Sequence, residues 1–186
     1  MGSDSGIIGQ LAADHRAIQN LLDRVRSAPP GSDERASLVE RVSGRLVSHL
    51  MAERECLHPL VRRYVVGGDQ GVDELLAVDE EIQRTLKSLG AVPAHSEEYV
   101  RHLLGLVSCV TEHVVGLEQR LFPRLQAVGP ADALRDAGAG TRRTQALGPT
   151  RPRPGAPGSP ALTRLTSAVL GPWDRLRDRL GRRGLS

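Results

Sequence analysis

Aromatic residues make up only 2% of the 186-residue chain, so a core must be built from Leu, Val, Ile and Ala. Such a composition favours packed helices over sheets, whose strands are usually enriched in aromatic residues. The chain also has only two cysteines, Cys56 and Cys109, too few for a disulfide framework. Both fall in predicted helices, where reduced core thiols are the simplest interpretation.

No apolar run has the length of a membrane span, and the N-terminus lacks a basic segment followed by an apolar one. We therefore expect a cytoplasmic protein. Residues 1–128 hold 14 Lys and Arg against 18 Asp and Glu, a net charge of −4, whereas residues 129–186 hold 11 Arg against 4 Asp, a net charge of +7. The basic character thus belongs to the tail. The tail shows no motif for nucleic acid, and we expect no nucleic-acid partner.

Four segments repeat apolar residues at intervals of three and four, as amphipathic helices do. This pattern predicts helices over about residues 7–27, 32–66, 72–90 and 95–127. Pro59 and Pro123 fall inside the second and fourth helices and should kink or loosen them. Short connections between such helices predict an all-α, antiparallel up-down-up-down four-helix bundle over residues 7–128.

The composition changes after the bundle. Residues 129–160 are predicted to be a flexible linker rich in Pro, Gly and Arg, with most of the proline in residues 148–160. Residues 161–183 are then predicted to form a short basic amphipathic helix. This C-terminal segment has three open roles: packing on the bundle as a fifth helix, lying on an anionic membrane surface, or binding a protein partner.

Ionisable residues occupy inward-facing positions in all four predicted helices, where the periodicity calls for Leu or Val. Burying an unpaired carboxylate or imidazole costs several kcal/mol, about as much as the net stability of a small domain. One metal centre would satisfy the whole set. Imidazole and carboxylate ligands suit iron, manganese or zinc, and a set of this size suits a carboxylate-bridged di-iron pair. The residues are His15, His49, Glu53, Asp79 and His113.

The spacing of the residues along the chain supports a shared metal centre in the second helix more clearly than in the fourth. His49 and Glu53 are four residues apart, on one face of a helix. His113 and Glu118 are five apart, which separates them by about 140° on a straight helix. Both reach one site only if the helix widens locally, as in a π-bulge, or if a pair of ions spans the gap. Spacing alone does not select Glu118.

Three of the helices carry short motifs in a fixed order: Asp14-His15 in the first, His49-x3-Glu53 with Leu57-x-Pro59 in the second, and His113-x4-Glu118 with Leu121-Phe122-Pro123 in the fourth. Together they resemble the hemerythrin-like (HHE cation-binding) family, and the basic tail is similar to those of actinobacterial members. The resemblance implies a four-helix bundle with a non-haem di-iron centre, oxo- or hydroxo-bridged. It implies His15, His49 and His113 as terminal ligands, with Glu53 and Glu118 as bridging carboxylates.

The sequence departs from the family pattern at Asp79, at His58 and in the acidic run after the last histidine, which is thinned here to Val114-Val115-Gly116-Leu117. Asp79 stands where the third helix usually supplies a histidine; it is either a sixth protein ligand, a solvated helix residue or a partner of Arg84. His58 replaces the aromatic residue that usually precedes the proline of the second helix, and lies either near the site or on the surface. Cys56 and Cys109 are on the same helix faces as the site, as core residues or as redox partners of the metal.

The resemblance leads to a first hypothesis, a di-iron protein that binds or senses oxygen, peroxide or nitric oxide, with catalase-like peroxide handling as one option. Whether it is an enzyme stays open, as does its oligomeric state. The alternative is a degenerate bundle that acts as a non-enzymatic stress or regulatory module and docks to a membrane or protein through residues 161–183. Iron storage or sensing is a third option.

Overall fold

The computed structural model describes residues 6–147; the predicted C-terminal segment and residues 148–160 of the predicted linker lie outside the described residues. Every regular element within this range is a helix. The α-helices are α1 (Ile7–Ser27), α2 (Asp33–Ala52), α3 (His58–Tyr64), α4 (Gly68–Leu89), α5 (Glu97–Val115), α6 (Phe122–Val128) and α7 (Ala131–Leu147). Two π-helical segments, π1 (Glu53–Leu57) and π2 (Gly116–Leu121), join α2 to α3 and α5 to α6.

Four continuous helical runs match the four predicted helices, and the all-α bundle is confirmed. The runs are α1, α2–π1–α3, α4 and α5–π2–α6, with α1 packed on α2 and α4 on α5.

Ser32 and Ser96 cap the N-termini of α2 and α5, each accepting a backbone N–H bond at 3.1 Å. Gly67, at φ 69°, makes the left-handed turn before α4. A Cβ at Gly68 would lie 2.2 Å from the Val61 carbonyl oxygen, so this turn requires glycine.

Two apolar clusters fill the interior of the bundle. One contains Ile18, Leu46, Ile82 and Leu106; the other contains Leu11, Leu57, Leu75 and Leu117. Along each run the inward-facing ionisable residue falls between members of the two clusters. The ionisable residues therefore form a polar layer enclosed by apolar packing at both ends.

Each of the two π-helical segments ends two residues before a proline, Pro59 or Pro123. The amide of His58 donates to the carbonyl of Glu53, and the amide of Phe122 donates to that of Leu117. Proline has no N–H and cannot make the next regular helical hydrogen bond. A wider turn before the proline therefore gives up few hydrogen bonds that a regular helix would make. The local widening that the spacing of His113 and Glu118 called for is therefore present in π2.

The structure differs from the predicted linker over residues 131–147, which form helix α7. This helix packs on α1, α2 and π1. Leu134 and Ala137 lie against the apolar cluster that contains Leu11, and Thr141 is fully buried. The predicted linker began too early in the chain. Only residues 148–160 have the Pro-rich composition, whereas residues 131–147 carry apolar residues at helical spacing.

One helical run within the described residues, Glu97–Val128, is long and apolar enough by length and composition alone to cross a membrane, although the apolar runs of the sequence predicted no membrane span. A third of the tested stretch, 33%, is buried. Leu106 and Val110 of this run lie in the bundle core, and it also carries His113 to the interior. Core packing thus accounts for part of its apolar character.

Candidate metal centre

Three histidines and one glutamate from three helical runs meet in the polar layer. The Nε2 atoms of His49, His113 and His15 lie 2.9, 3.3 and 3.7 Å from the nearest carboxylate oxygen of Glu53. The centroids of the three imidazole rings are 4.8 to 5.7 Å apart. All four side chains are at most 1% exposed. Their ligand atoms lie within 4.8 Å of one another, a grouping that can hold a metal ion.

A carboxylate stands behind each of the three imidazoles, at the Nδ1 atom. Glu118 Oε1 lies 2.7 Å from Nδ1 of His15, and Asp14 Oδ2 lies 3.3 Å from Nδ1 of His49. Asp79 Oδ1 approaches Nδ1 of His113 to 3.3 Å; this residue was one of the predicted ligands. A carboxylate at Nδ1 keeps the proton there and leaves Nε2 free to bind a metal.

Asp14 is held in place by more than the histidine. Arg45 and Gln145 both donate to its carboxylate, one from α2 and one from α7. Burial raises the pKa of Asp14, but His49 and Arg45 outweigh this effect and lower it below its ordinary value. The carboxylate therefore stays charged beside His49.

Without a metal, the buried carboxylate of Glu53 is balanced by protons on the imidazoles. Burial raises the pKa of Glu53, but His113 and His49 together hold it well below its ordinary value. Burial lowers the pKa of His49 and His113, but the charge of Glu53 and the close contact with neighbouring carboxylate oxygens raise it to about 9 and about 10. A metal ion would take the place of these protons.

A second group adjoins the first and shares Glu53 with it. One ligand atom each from Glu53, His58 and Asp79 lie within 4.8 Å of one another, and all three side chains are buried. The position of His58, left open by the sequence, is thus interior. Burial lowers the pKa of His58 although Asp79 and Glu53 raise it, so the imidazole is neutral. The Nε atom of Arg54 lies 3.7 Å from Oδ2 of Asp79.

Asp79 is fully buried and is not a solvated helix residue. Arg84, its proposed partner, pairs instead with Glu81. Glu118 is 38% exposed and stands at the edge of the centre, outside both groups of potential ligands.

Neither cysteine belongs to the two groups. Cys56 lies beneath α7, since a Cβ at Gly140 would be 3.0 Å from its Sγ atom. Cys109 packs against the core cluster of Ile18, and burial raises the pKa of its thiol.

Many polar atoms of the two groups lack a hydrogen-bond partner within the described residues. An unsatisfied buried polar atom costs about 1–3 kcal/mol, so their convergence favours an additional ion at the centre. The mixture of imidazole nitrogen and carboxylate oxygen fits iron, manganese or zinc. The atoms are Nε2 of His15, His49, His58 and His113, Nδ1 of His113, and both carboxylate oxygens of Glu53 and of Asp79.

A surface cleft of about 510 Å³ lies between α4 and the α5–π2–α6 run and reaches His113. Leu75 and Gly116 line it near the histidine. The charged residues of the lining balance, two arginines against two glutamates: Arg120, Arg124, Glu74 and Glu112. A Cβ at Gly116 would stand 3.3 Å from an Nη atom of Arg120. The cleft is a route by which a small molecule can approach the centre.

Comparison with known proteins assigns the fold to a family. The sequence profile of the hemerythrin HHE cation-binding domain matches residues 6–125, well over half of the chain. The chain belongs to this family. A hemerythrin-like protein of Schizosaccharomyces pombe, described as uncharacterized, is 22% identical over 169 residues, which cover 89% of this chain and 81% of the relative. The crystal structure of a hemerythrin HHE cation-binding domain-containing protein from Mycobacterium kansasii superimposes with a TM-score of 0.67 at 18% identity, covering 76% of this chain and 88% of that one.

The sequence of this hemerythrin-family chain predicted the four residues that meet at the centre, but it gave no role to Asp14 and left the position of His58 open. Asp14 was quoted only as part of a motif, yet it fixes His49. The interior position of His58 could have been inferred from a spacing that the second and fourth helical runs share, because His58 follows His49 by nine residues as Phe122 follows His113. Phe122 stacks on the ring of His15 at 5.9 Å, so this position faces the centre in both runs.

Proposed function

We propose that this chain is a non-haem iron protein that binds or senses oxygen, peroxide or nitric oxide. His15, His49, Glu53 and His113 would hold the first iron. The observation that carries the proposal is the convergence of three Nε2 atoms on one buried carboxylate, with no hydrogen bond to the Nε2 of any of them from the described residues. Family membership supports iron as the ion, and the sharing of Glu53 between two ligand groups supports a carboxylate-bridged pair.

Iron, when bound, would supply redox chemistry and a place for a small ligand. The chain's own residues do the rest. Asp14, Glu118 and Asp79 orient the three imidazoles through Nδ1, so little reorganisation is needed when an ion enters. The two apolar clusters exclude water from both ends of the layer.

Anaerobic iron loading of the metal-free full-length chain, followed by metal analysis and optical spectroscopy in oxygen and in peroxide, tests this function. We expect at least about one iron per chain and a charge-transfer band that changes with the oxidant. His49→Ala should abolish both, whereas His95→Ala, at an exposed site in the loop before α5, should change neither. Iron content well below one per chain in the wild-type protein would reject the proposal.

Oxygen evolution from peroxide separates an enzyme from a binding or sensing protein. Sustained evolution by the iron-loaded chain, lost in His49→Ala, would establish catalase-like turnover. Spectral changes with peroxide that stop after one equivalent would instead favour a sensor.

A further inference from the structure

We propose that Gln145 of helix α7 is a positioning residue for the metal centre, and that its hydrogen bond couples metal binding to the packing of this helix on the bundle. The inference rests on the proposed function, since it requires an ion at His49. Helix α7 begins at Ala131, beyond the residues 6–125 that match the family profile. The coupling therefore comes from an element outside the matched domain.

One carboxylate oxygen of Asp14 joins α7 to His49. The side-chain amide of Gln145 donates to Oδ2 of Asp14, and the same oxygen faces Nδ1 of His49. Arg45 donates to the other oxygen, Oδ1. Gln145 thus holds the oxygen that orients the imidazole. A carboxylate in this position sets which nitrogen of a ligating histidine faces the metal.

Arg45 by itself would hold the carboxylate less firmly. The Arg45 side chain is nearly half exposed to solvent, whereas that of Asp14 is buried. A long side chain in solvent keeps its rotamer freedom and can follow a rotation of the carboxylate toward the surface. Such a rotation would carry Oδ2 away from Nδ1 of His49. The amide of Gln145 opposes it from the side of α7.

The last turns of α7 pack against the segments that carry the metal ligands. The hydroxyl of Thr144 donates to Oε2 of Glu55 at 2.7 Å, two residues after Glu53 in π1. Thr141, one turn earlier, is fully buried. The hydrogen bond from Gln145 therefore comes from a part of α7 that is fixed on both α1 and π1.

Coupling between two binding equilibria acts in both directions. If packed α7 raises metal affinity through Asp14, a bound metal stabilises the packing of α7 by the same factor. A metal ion at His49 would thereby change the stability of a helix at the surface of the bundle. This gives a sensing protein an element that reports the occupancy of its centre.

The test is the affinity of the full-length chain for Co²⁺, a divalent stand-in for iron whose visible absorption reports the bound ion, measured by chelator competition. Gln145→Met keeps the length of the side chain but removes the donor. We expect its Co²⁺ affinity to fall about 3- to 10-fold, less than the 10–100-fold typical for loss of the carboxylate itself.

Two control variants accompany Gln145→Met. Gln70→Met changes an exposed glutamine of α4 that donates to Glu74, and should bind Co²⁺ as the wild type does. Arg142→Ala breaks the exposed hydrogen bond from α7 to Gln10 without touching Asp14, and should change the affinity by less than about twofold. It separates positioning of the carboxylate from a general loosening of α7.

Two further measurements distinguish positioning from a purely structural role. In the Co²⁺-loaded chain, ligating imidazoles give paramagnetically shifted N–H proton resonances; Gln145→Met should shift one of them and leave the others in place. Amide hydrogen exchange over residues 131–147 should slow when Co²⁺ is added to the wild-type chain. The slowing should be smaller in Gln145→Met.

The outcomes separate this proposal from the proposed function. A Co²⁺ affinity of Gln145→Met within about twofold of wild type, or equal losses in Gln145→Met and Arg142→Ala, would overturn the positioning role. Hydrogen exchange in α7 that is unchanged by Co²⁺ would overturn the coupling, and this wild-type measurement decides even if Gln145→Met fails to fold. No bound Co²⁺ in the wild-type chain would instead refute the proposed function.

Discussion

The Nδ1 atom of His49 lies 3.3 Å from Oδ2 of Asp14, across the contact between α1 and α2. Asp14 directly precedes His15 in α1. This short stretch therefore places the imidazole of His15 in the centre and a carboxylate behind the imidazole of His49. Gln145 of α7 donates to the same carboxylate. The orientation of His49 therefore depends on three helices.

Removal of the Asp14 carboxylate should weaken metal binding without removing a ligand. Loss of such a partner typically costs 10–100-fold in metal affinity, and we expect Asp14→Ala to fall in that range. Chelator competition with Co²⁺ measures the change. Asp23→Ala removes an exposed aspartate of the same helix and serves as the matched control. Equal affinity in Asp14→Ala and wild type would show that packing alone orients His49.

The metal-free protein should lose stability as the pH rises from about 6.5 to about 10. His49 and His113 have pKa values of about 9 and about 10 in the folded chain, above the ordinary value of 6.5. Their contribution is fully present below pH 6.5 and is lost as the pH rises through the folded values. Glu53 acts in the opposite sense: its lowered pKa stabilises the fold above its ordinary value of 4.5, and this is lost as the pH falls.

The measurement is the Tm of metal-free protein across this pH range. His102→Gln, which removes a histidine of α5 outside the centre, is the control and should reproduce the wild-type slope. Metal affinity should change in the opposite direction, because ligands must lose their protons before they bind. A Tm that does not fall between pH 6.5 and 10 would contradict the assigned protonation of His49 and His113.

Helix α7 should be released from the bundle by a larger residue at Gly140. A Cβ there already comes within 3.0 Å of the Cys56 sulfur, so Gly140→Leu overpacks the contact with π1. We expect the free energy of unfolding to fall by about 1–3 kcal/mol. Maleimide should also label Cys56 faster, while the labelling of Cys109 stays unchanged. Arg135→Leu, at an exposed position of α7, should have neither effect, and unaltered labelling of Cys56 in Gly140→Leu would contradict the packing.

A side chain at Gly116 should hinder access to the centre through the cleft. Valine at this position would project toward Leu75 and Arg120, which line the cleft with His113. We expect Gly116→Val to slow the reaction of iron-loaded protein with azide or peroxide while iron content stays the same. Stopped-flow absorption gives the rate. Gly105→Val, at a helical glycine away from the cleft, controls for the effect of valine on the helix, and equal rates in both variants would exclude this route.

The helical periodicity was sufficient to predict the bundle and four residues of the centre. Ionisable residues interrupt the apolar stripes at four positions: His15, His49, Glu53 and His113. Burying such side chains costs free energy unless they bind a common metal ion or pair with one another. The sequence and the period of a helix are sufficient for this prediction. The prediction from periodicity was wrong over residues 131–147. Helix α7 has a weak apolar face, and the Pro-rich composition of the residues that follow it was extended to α7 as well.

The contacts around the centre could not be predicted in the same way, because they depend on how helices are rotated against one another. A regular helix places His58 and Glu118 away from the centre, and only the π turns before Pro59 and Pro123 bring them back. The sequence by itself determined that ionisable groups would be buried in a helical bundle. The tertiary structure decided which nitrogen of each histidine faces the centre, since a carboxylate from another helix occupies the opposite side of each ring.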